Sequence, residues 1–194
     1  MAAIVKISVV LESIVSWIGK IASWLCVPLF LIIVFDVVTR KLNLIQGTFL
    51  DGWVTSTKLQ EMEWHLHAAL FLLVLAYAYF QDGHVRIDLV RDRLNARTKA
   101  WIEIIGCLIF LIPYAAMVVF YSSDFWYKSW VIDEGSAATT GLPHRYIIKA
   151  TLPIAFGLLF LAGVSMVLNR IAFLAGHRVP DHHGADDAHK PHGE

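Results

Sequence analysis

Hydrophobic residues along this chain fall into four long runs, and the polar residues between them are the punctuation. A charge at the centre of a bilayer is costly, so stretches free of Asp, Glu, Lys and Arg mark candidate spans of roughly 20 residues. Ala150 to Asn169 is one such stretch, ending at Arg170, and Ile104 to Ser123 is another, bounded by Glu103 and Asp124. Trp64 to Gln81 is a third, slightly polar at His65 and His67. Ile21 to Phe35 is shorter, but it extends forward past Asp36 to Val38 and backward through Trp17. The pattern predicts an all-α integral membrane protein with helices near 14–38, 61–81, 101–123 and 147–170. Residues 1–175 form the membrane domain, and 176–194 form a polar tail holding five of the nine histidines.

The flanks fit interfaces. Trp17, Trp24, Trp64, Trp101, Trp126 and Trp130 lie at or near window ends, where amphipathic rings favour the headgroup layer. Pro28, Pro113 and Pro153 fall inside windows as candidate kinks, which membrane helices tolerate. Between the first two windows, Leu42 to Gln60 mixes apolar residues with Gly47, Asp51 and Gly52 and reads as an interfacial segment.

Lys and Arg set the orientation. One face would hold Lys6, Lys20, Arg86, Arg91, Arg93, Arg97, Lys99, Arg170, Arg178 and Lys190; the other would hold Arg40, Lys41, Lys58, Lys128, Arg145 and Lys149. The richer face, with both termini and the loop after the second helix, is then cytoplasmic. Met1 to Val15 contains Lys6 and Glu12 and no small-residue cleavage site, so insertion is expected to depend on the helices themselves.

Composition agrees with the pattern. Hydrophobic residues make up 57% and charged residues 16%, against about 25% charged in a soluble domain. Acidic and basic residues balance at 16 each, so nothing points to nucleic acid. Cys26 and Cys107 both lie in apolar stretches, which suits neither a disulfide framework nor a cysteine metal site.

A few polar positions are candidates for chemistry. Glu61 and His65 share one helix face, and Glu63 and His67 another, but one Glu and one His per face is an incomplete metal set. The alternatives are a polar helix end at the headgroup layer or a subunit contact. Asp36 lies one turn before Arg40. It reads either as an intramembrane proton relay or as half of a local ion pair, and the pair satisfies both charges without a further partner. Asp82-Gly83 signals the end of the second helix, and Asp88 is placed to cap a short amphipathic helix. The tail histidines read as a solvated segment. A Gly-x4-Gly-Lys phosphate loop and a Gly-x-Ser-x-Gly elbow are both missing from the sequence. The third and fourth windows lack charge and histidine, which is poor material for a polar solute pathway.

Several motifs occur in an ordered series. Arg40 follows the first helix; Gln60-Glu61-x-x-Trp64-His65-Leu66 opens the second; Asp82-Gly83-His84-Val85-Arg86-Ile87-Asp88 closes it. Gly135-Ser136 and Gly141-Leu142-Pro143-His144-Arg145-Tyr146-Ile147-Ile148-Lys149 lead into the fourth. From about 15 to 173 the chain resembles the small membrane subunit of tripartite ATP-independent periplasmic (TRAP) transporters, in the branch labelled mannitol/chloroaromatic.

The resemblance implies a bacterial inner-membrane protein, not an enzyme and without a cofactor. Such a subunit scaffolds a large membrane subunit. A periplasmic binding protein delivers an organic acid to the pair, and an ion gradient, expected to be sodium, drives uptake. Asp36, Arg40, Glu61, Trp64, His65, His84, Arg86 and Asp88 then stand as structural or subunit-interface candidates, not as substrate or metal ligands. Two rival readings use the same residues. A haem-carrying respiratory anchor needs histidines on facing helices at one depth, and a small proton-coupled exporter rests on Asp36.

Overall fold

In the computed structural model the described residues are 2–43, 53–81 and 94–177. They form α1 (Ala2–Ser23), α2 (Cys26–Leu42), α3 (Ser56–Phe80), α4 (Ala96–Gly106), a π-helical turn (Cys107–Leu111), α5 (Ile112–Val131) and α6 (Tyr146–Leu174). Four helical stretches are long and apolar enough to cross a membrane: Ala3–Leu42, Ser56–Phe80, Ala96–Val131 and Tyr146–Leu174. The protein is therefore all-α, with the four spans that charge exclusion predicts.

α6 is the hub. It packs against α1, α3, α4 and α5, whereas α2 packs chiefly on α3. Its most apolar window is 44% buried, against 11–17% for the other three spans. Small side chains make this possible. Ala155, Ala162, Gly163, Ser165 and Ala172 are all buried on α6 and let neighbouring backbones approach. Two apolar clusters result. Val15, Ala76, Phe80, Leu158, Leu159 and Ala162 join α1, α3 and α6. Ile104, Cys107, Met166 and Val167 join α4, the π turn and α6.

The first span differs from its expected limits. Helix begins at Ala2, well before position 14, and breaks at Trp24–Leu25. Pro28 has no N–H to give the Trp24 carbonyl and its ring crowds that turn. Trp24 and Leu25 instead donate three residues back, to the carbonyls of Ile21 and Ala22 at 3.0 and 2.9 Å. The break is needed on length alone. The stretch Ala3–Leu42 has 40 residues. A straight helix of that length would extend about 60 Å, twice the roughly 30 Å hydrocarbon core. Instead α1 lies against Ala76 and Phe80 of α3 and against Leu158, Leu159, Ala162 and Ser165 of α6, and α2 packs on α3 as far as Ser56. The stripe Ser8, Val15, Gly19 and Ala22 is the buried face of α1. Ser165 Oγ donates to the Ser8 carbonyl at 3.0 Å.

Pro113 acts similarly. The turn before it widens, and Ile112 N–H reaches back to the Cys107 carbonyl. Leu111 and Ile112 thereby lean over Gly163, where an added Cβ would meet them at 3.0 and 3.2 Å. Pro153 sits inside α6 without interrupting it. Glu103 on α4 and Arg170 on α6, which bound apolar windows in the sequence, form an ion pair, each 18% exposed.

Of the described helical glycines, Gly19 leaves the least room for a side chain. A Cβ there would fall well inside van der Waals contact of Tyr77 Cβ, close to the backbone of α3. Gly19→Leu should therefore lower the melting temperature of the purified protein in detergent, by overpacking worth about 1–3 kcal/mol. Gly106→Ala, where an added Cβ meets nothing within 4 Å, should leave it unchanged or slightly higher.

Candidate functional site

Two groups of polar residues gather at the end of the bundle that carries Asp36, Ser56 and Tyr146. Two clasps operate there. Asp36, only 1% exposed, accepts from Arg40 one turn along α2, and the Ser56 hydroxyl donates to its other oxygen at 3.2 Å. The i,i+4 pairing read from sequence is thus present, with Ser56 as a third member that ties α2 to the first turn of α3. Thr39, also buried, donates to the carbonyls of Phe35 and Asp36.

The second clasp is centred on Glu61, in the second turn of α3 and 8% exposed. Its carboxylate accepts from the Ser136 hydroxyl and, at 2.6 Å, from the Leu142 backbone N–H. Arg145 Nη2 lies 3.9 Å away, and its guanidinium carbon sits 5.4 Å from the centroid of the Trp64 ring. His65 Nδ1 contacts the Glu61 carbonyl, and its ring lies against Trp64 at 3.9 Å between centroids. Thr55 caps α3 by accepting from Lys58 N–H and donates its own hydroxyl proton to the Thr140 carbonyl. The motif opening the second span and the motif leading into the fourth are therefore two halves of one arrangement.

Residues 132–145 wrap the Glu61 carboxylate because their backbone is tied at several points. Ser136 N–H donates to the Leu142 carbonyl at 3.0 Å, and Arg145 N–H to the Glu134 carbonyl at 2.7 Å. Gly141 is required by space, since a Cβ there would lie 2.7 Å from Glu61 Oε2 and closer still to Ser136. Asp133 and His144 adopt positive φ, 47° and 61°, a region that Asp and His enter more readily than most residues. Their side chains meet at 2.7 Å. Glu134 pairs with Lys149 on α6, whose ammonium also lies 4.1 Å from the Phe125 ring centroid. The Lys149 ammonium, hydrogen-bonded to Glu134, holds that carboxyl below its usual range.

Of the sequence candidates, the structure brings Glu61, Trp64 and His65 together and pairs Asp36 with Arg40. His84, Arg86 and Asp88 lie outside the described residues. Ser56, Thr55, Ser136 and Arg145 are members that sequence reading did not single out, although Ser136 and Arg145 stand in the quoted motifs. Chemically, the arrangement fixes loop to helix. Asp36, Glu61 and Glu134 each have donors from within the chain, whereas Glu63 Oε1 is buried without one among the described residues.

Two outcomes follow. Glu61→Ala removes the acceptor of both Ser136 and Leu142, so it should destabilise the protein more than Ser136→Ala. The coupling energy from the double-mutant cycle, read by melting, should be about 1.5–3 kcal/mol for a charged hydrogen bond. Glu134 contributes through a lowered pKa, so its stabilisation is present above the unfolded glutamate value and is lost as pH falls through the folded one. Glu134→Gln should melt below wild type at neutral pH, with the difference closing on acidification through that lowered value.

No curated protein and no solved structure gives a significant match to this chain. A family model does match residues 29–173, that of the DctQ component of tripartite ATP-independent periplasmic transporters. The match runs from α2 to the last turn of α6 and includes both clasps. With the four-span helical fold and the two motifs closed on one another, the chain belongs to the DctQ family, the small membrane component of TRAP transporters.

Proposed function

We propose that this chain is the scaffold of a sodium-coupled organic-acid importer in the bacterial inner membrane. It would hold the large membrane subunit while a periplasmic binding protein delivers substrate. The observation that supports this most is how the polar groups are used. Asp36, Glu61 and Glu134 close on donors of the same chain, and the interior between the described helices is chiefly the apolar clusters around Leu158 and Met166, where the buried Ser165 is bonded to Ser8. A substrate or ion pathway needs polar groups presented to a passing solute. Exposed apolar residues on α2, such as Phe30 at 65% and Leu31 at 60%, leave surface for lipid or for a partner helix. The mannitol/chloroaromatic branch rests on the motif into α6, which the Glu61 clasp uses directly. In the orientation set by Lys and Arg, both termini are cytoplasmic and the two clasps face the periplasm.

The test is reconstitution. Proteoliposomes holding this chain and the large subunit, supplied with binding protein, should accumulate the organic acid only under a sodium gradient. Liposomes lacking this chain should not, and this chain alone should transport nothing. Asp36→Asn should leave the sodium dependence intact, whereas an altered sodium stoichiometry in a normally assembled complex would contradict the scaffold reading. Single-cysteine labelling at the exposed Asn95 and Gly135, in a chain lacking Cys26 and Cys107, checks the orientation. Gly135 should label from the periplasm and Asn95 should not.

A further inference from the structure

Ser56, Gln60, Glu63 and His67 recur every three or four residues along α3 and so form one column, within an arc of about 60° on the helix surface. The column is about 16 Å long at 1.5 Å per residue. Its outer end is closed within the chain, since the Ser56 hydroxyl donates to Asp36 and Gln60 Nε2 donates to Ser56 Oγ at 3.4 Å. Its inner end is not. Glu63 Oε1 is buried with no donor among the described residues, and His67 is exposed. α2 packs on α3, but its residues 27–35, inward of Asp36, carry no polar side chain. Asp36, Glu61, Glu103 and Glu134 all meet donors of this chain, and Glu63 stands apart from them.

We infer that a helix of the large membrane subunit lies along Gln60, Glu63 and His67 and pairs a Lys or Arg with the Glu63 carboxylate. The inference rests on the scaffold reading and adds to it the face and the charge of the contact. A carboxylate partly withdrawn from water is retained where a donor reaches it, and a cationic donor offsets its charge as well.

Depth separates a protein from a lipid. Glu63 adjoins Trp64, where the charge-free window opens, and His67 lies inside that window. Acyl chains offer neither donor nor acceptor at that depth, whereas a polypeptide helix carries polar side chains inward at matching spacing. At the outer edge, a lipid phosphate is repelled by Glu63.

Charge separates the large subunit from a second copy of this chain. Two copies related by a twofold axis along the membrane normal set each residue of a shared face opposite its own kind, at one depth. Glu63 would then face Glu63, with like charges in a medium that screens them poorly. A different chain with a basic residue at that depth meets no such conflict, and the DctQ family is one component of a three-part transporter.

The experiment uses the chain co-expressed with the large subunit. Affinity between the two is titrated in detergent, and the chain alone is melted in the same buffer. Glu63→Lys should weaken large-subunit binding about tenfold, and Glu63→Gln should weaken it less. Glu63→Gln should leave the melting temperature of the chain alone unchanged or higher, because Glu63 Oε1 has no donor there. Charge reversal of one basic residue of the large subunit, found by screening its Lys and Arg positions, should restore binding to Glu63→Lys. His67→Cys, in a chain lacking Cys26 and Cys107 and labelled with benzophenone maleimide, should cross-link to the large subunit in liposomes. Unchanged affinity in Glu63→Lys, or cross-links only to lipid or to a second copy of this chain, would overturn the contact. So would weaker binding by Glu63→Gln with earlier melting of the chain alone, which makes Glu63 an internal support. An altered sodium dependence of uptake in a normally assembled Glu63→Gln complex would overturn it as well, by placing the column on the ion route. A complex that assembles through another face leaves the scaffold reading standing, whereas a wild-type chain that binds no large subunit contradicts both.

Discussion

Hydrocarbon does not solvate charge, and the rest of this structure follows from that constraint. A carboxylate within a membrane helix persists only where a donor reaches it or where it borders water. Here the donors come from the chain itself. Arg40 and Ser56 serve Asp36, Ser136 and Leu142 serve Glu61, and Lys149 serves Glu134. Glu103 and Arg170 pair at the opposite end. These are the joints of the bundle, because apolar faces alone gain little by meeting one another where lipid is an equally good neighbour.

Packing supplies what the joints do not. α6 carries a run of small buried residues, and α1 brings Gly19 against Tyr77. Dispersion between closely approached backbones then holds the middle of the bundle, while polar clasps fix its ends. The prolines shape these contacts. Pro28 turns the first span so that its N-terminal half covers α3 and α6, and Pro113 follows the widened turn that sets Leu111 over Gly163. Both positions put irregular backbone where packing needs a change of direction.

The spans were legible in the sequence because charge exclusion acts on single residues and leaves a countable gap. The reach of α1 was not, since Lys6, Glu12 and Lys20 resemble a soluble flank and the buried stripe Ser8, Val15, Gly19 and Ala22 is hidden among apolar residues that face outward. The Asp36–Arg40 pair could be read from helical spacing alone, but Ser56 could not, because nothing in the spacing says which turn of α3 meets α2. Glu61 and the Gly135 to Lys149 stretch were each visible as motifs. Their union was not, since it depends on the tertiary placement of a loop 75 residues away from the carboxylate it encloses.

If the polar ends are satisfied within this chain, the loop over Glu61 is ordered before any partner arrives. Hydrogen exchange of the chain purified in detergent without the large subunit tests that directly. The account predicts that the backbone N–H groups of Ser136, Leu142 and Arg145, each with an acceptor in the structure, exchange as slowly as the first turns of α6. Exchange at open-loop rates, with protection appearing only when the large subunit is added, would contradict it and make the clasp part of a subunit interface.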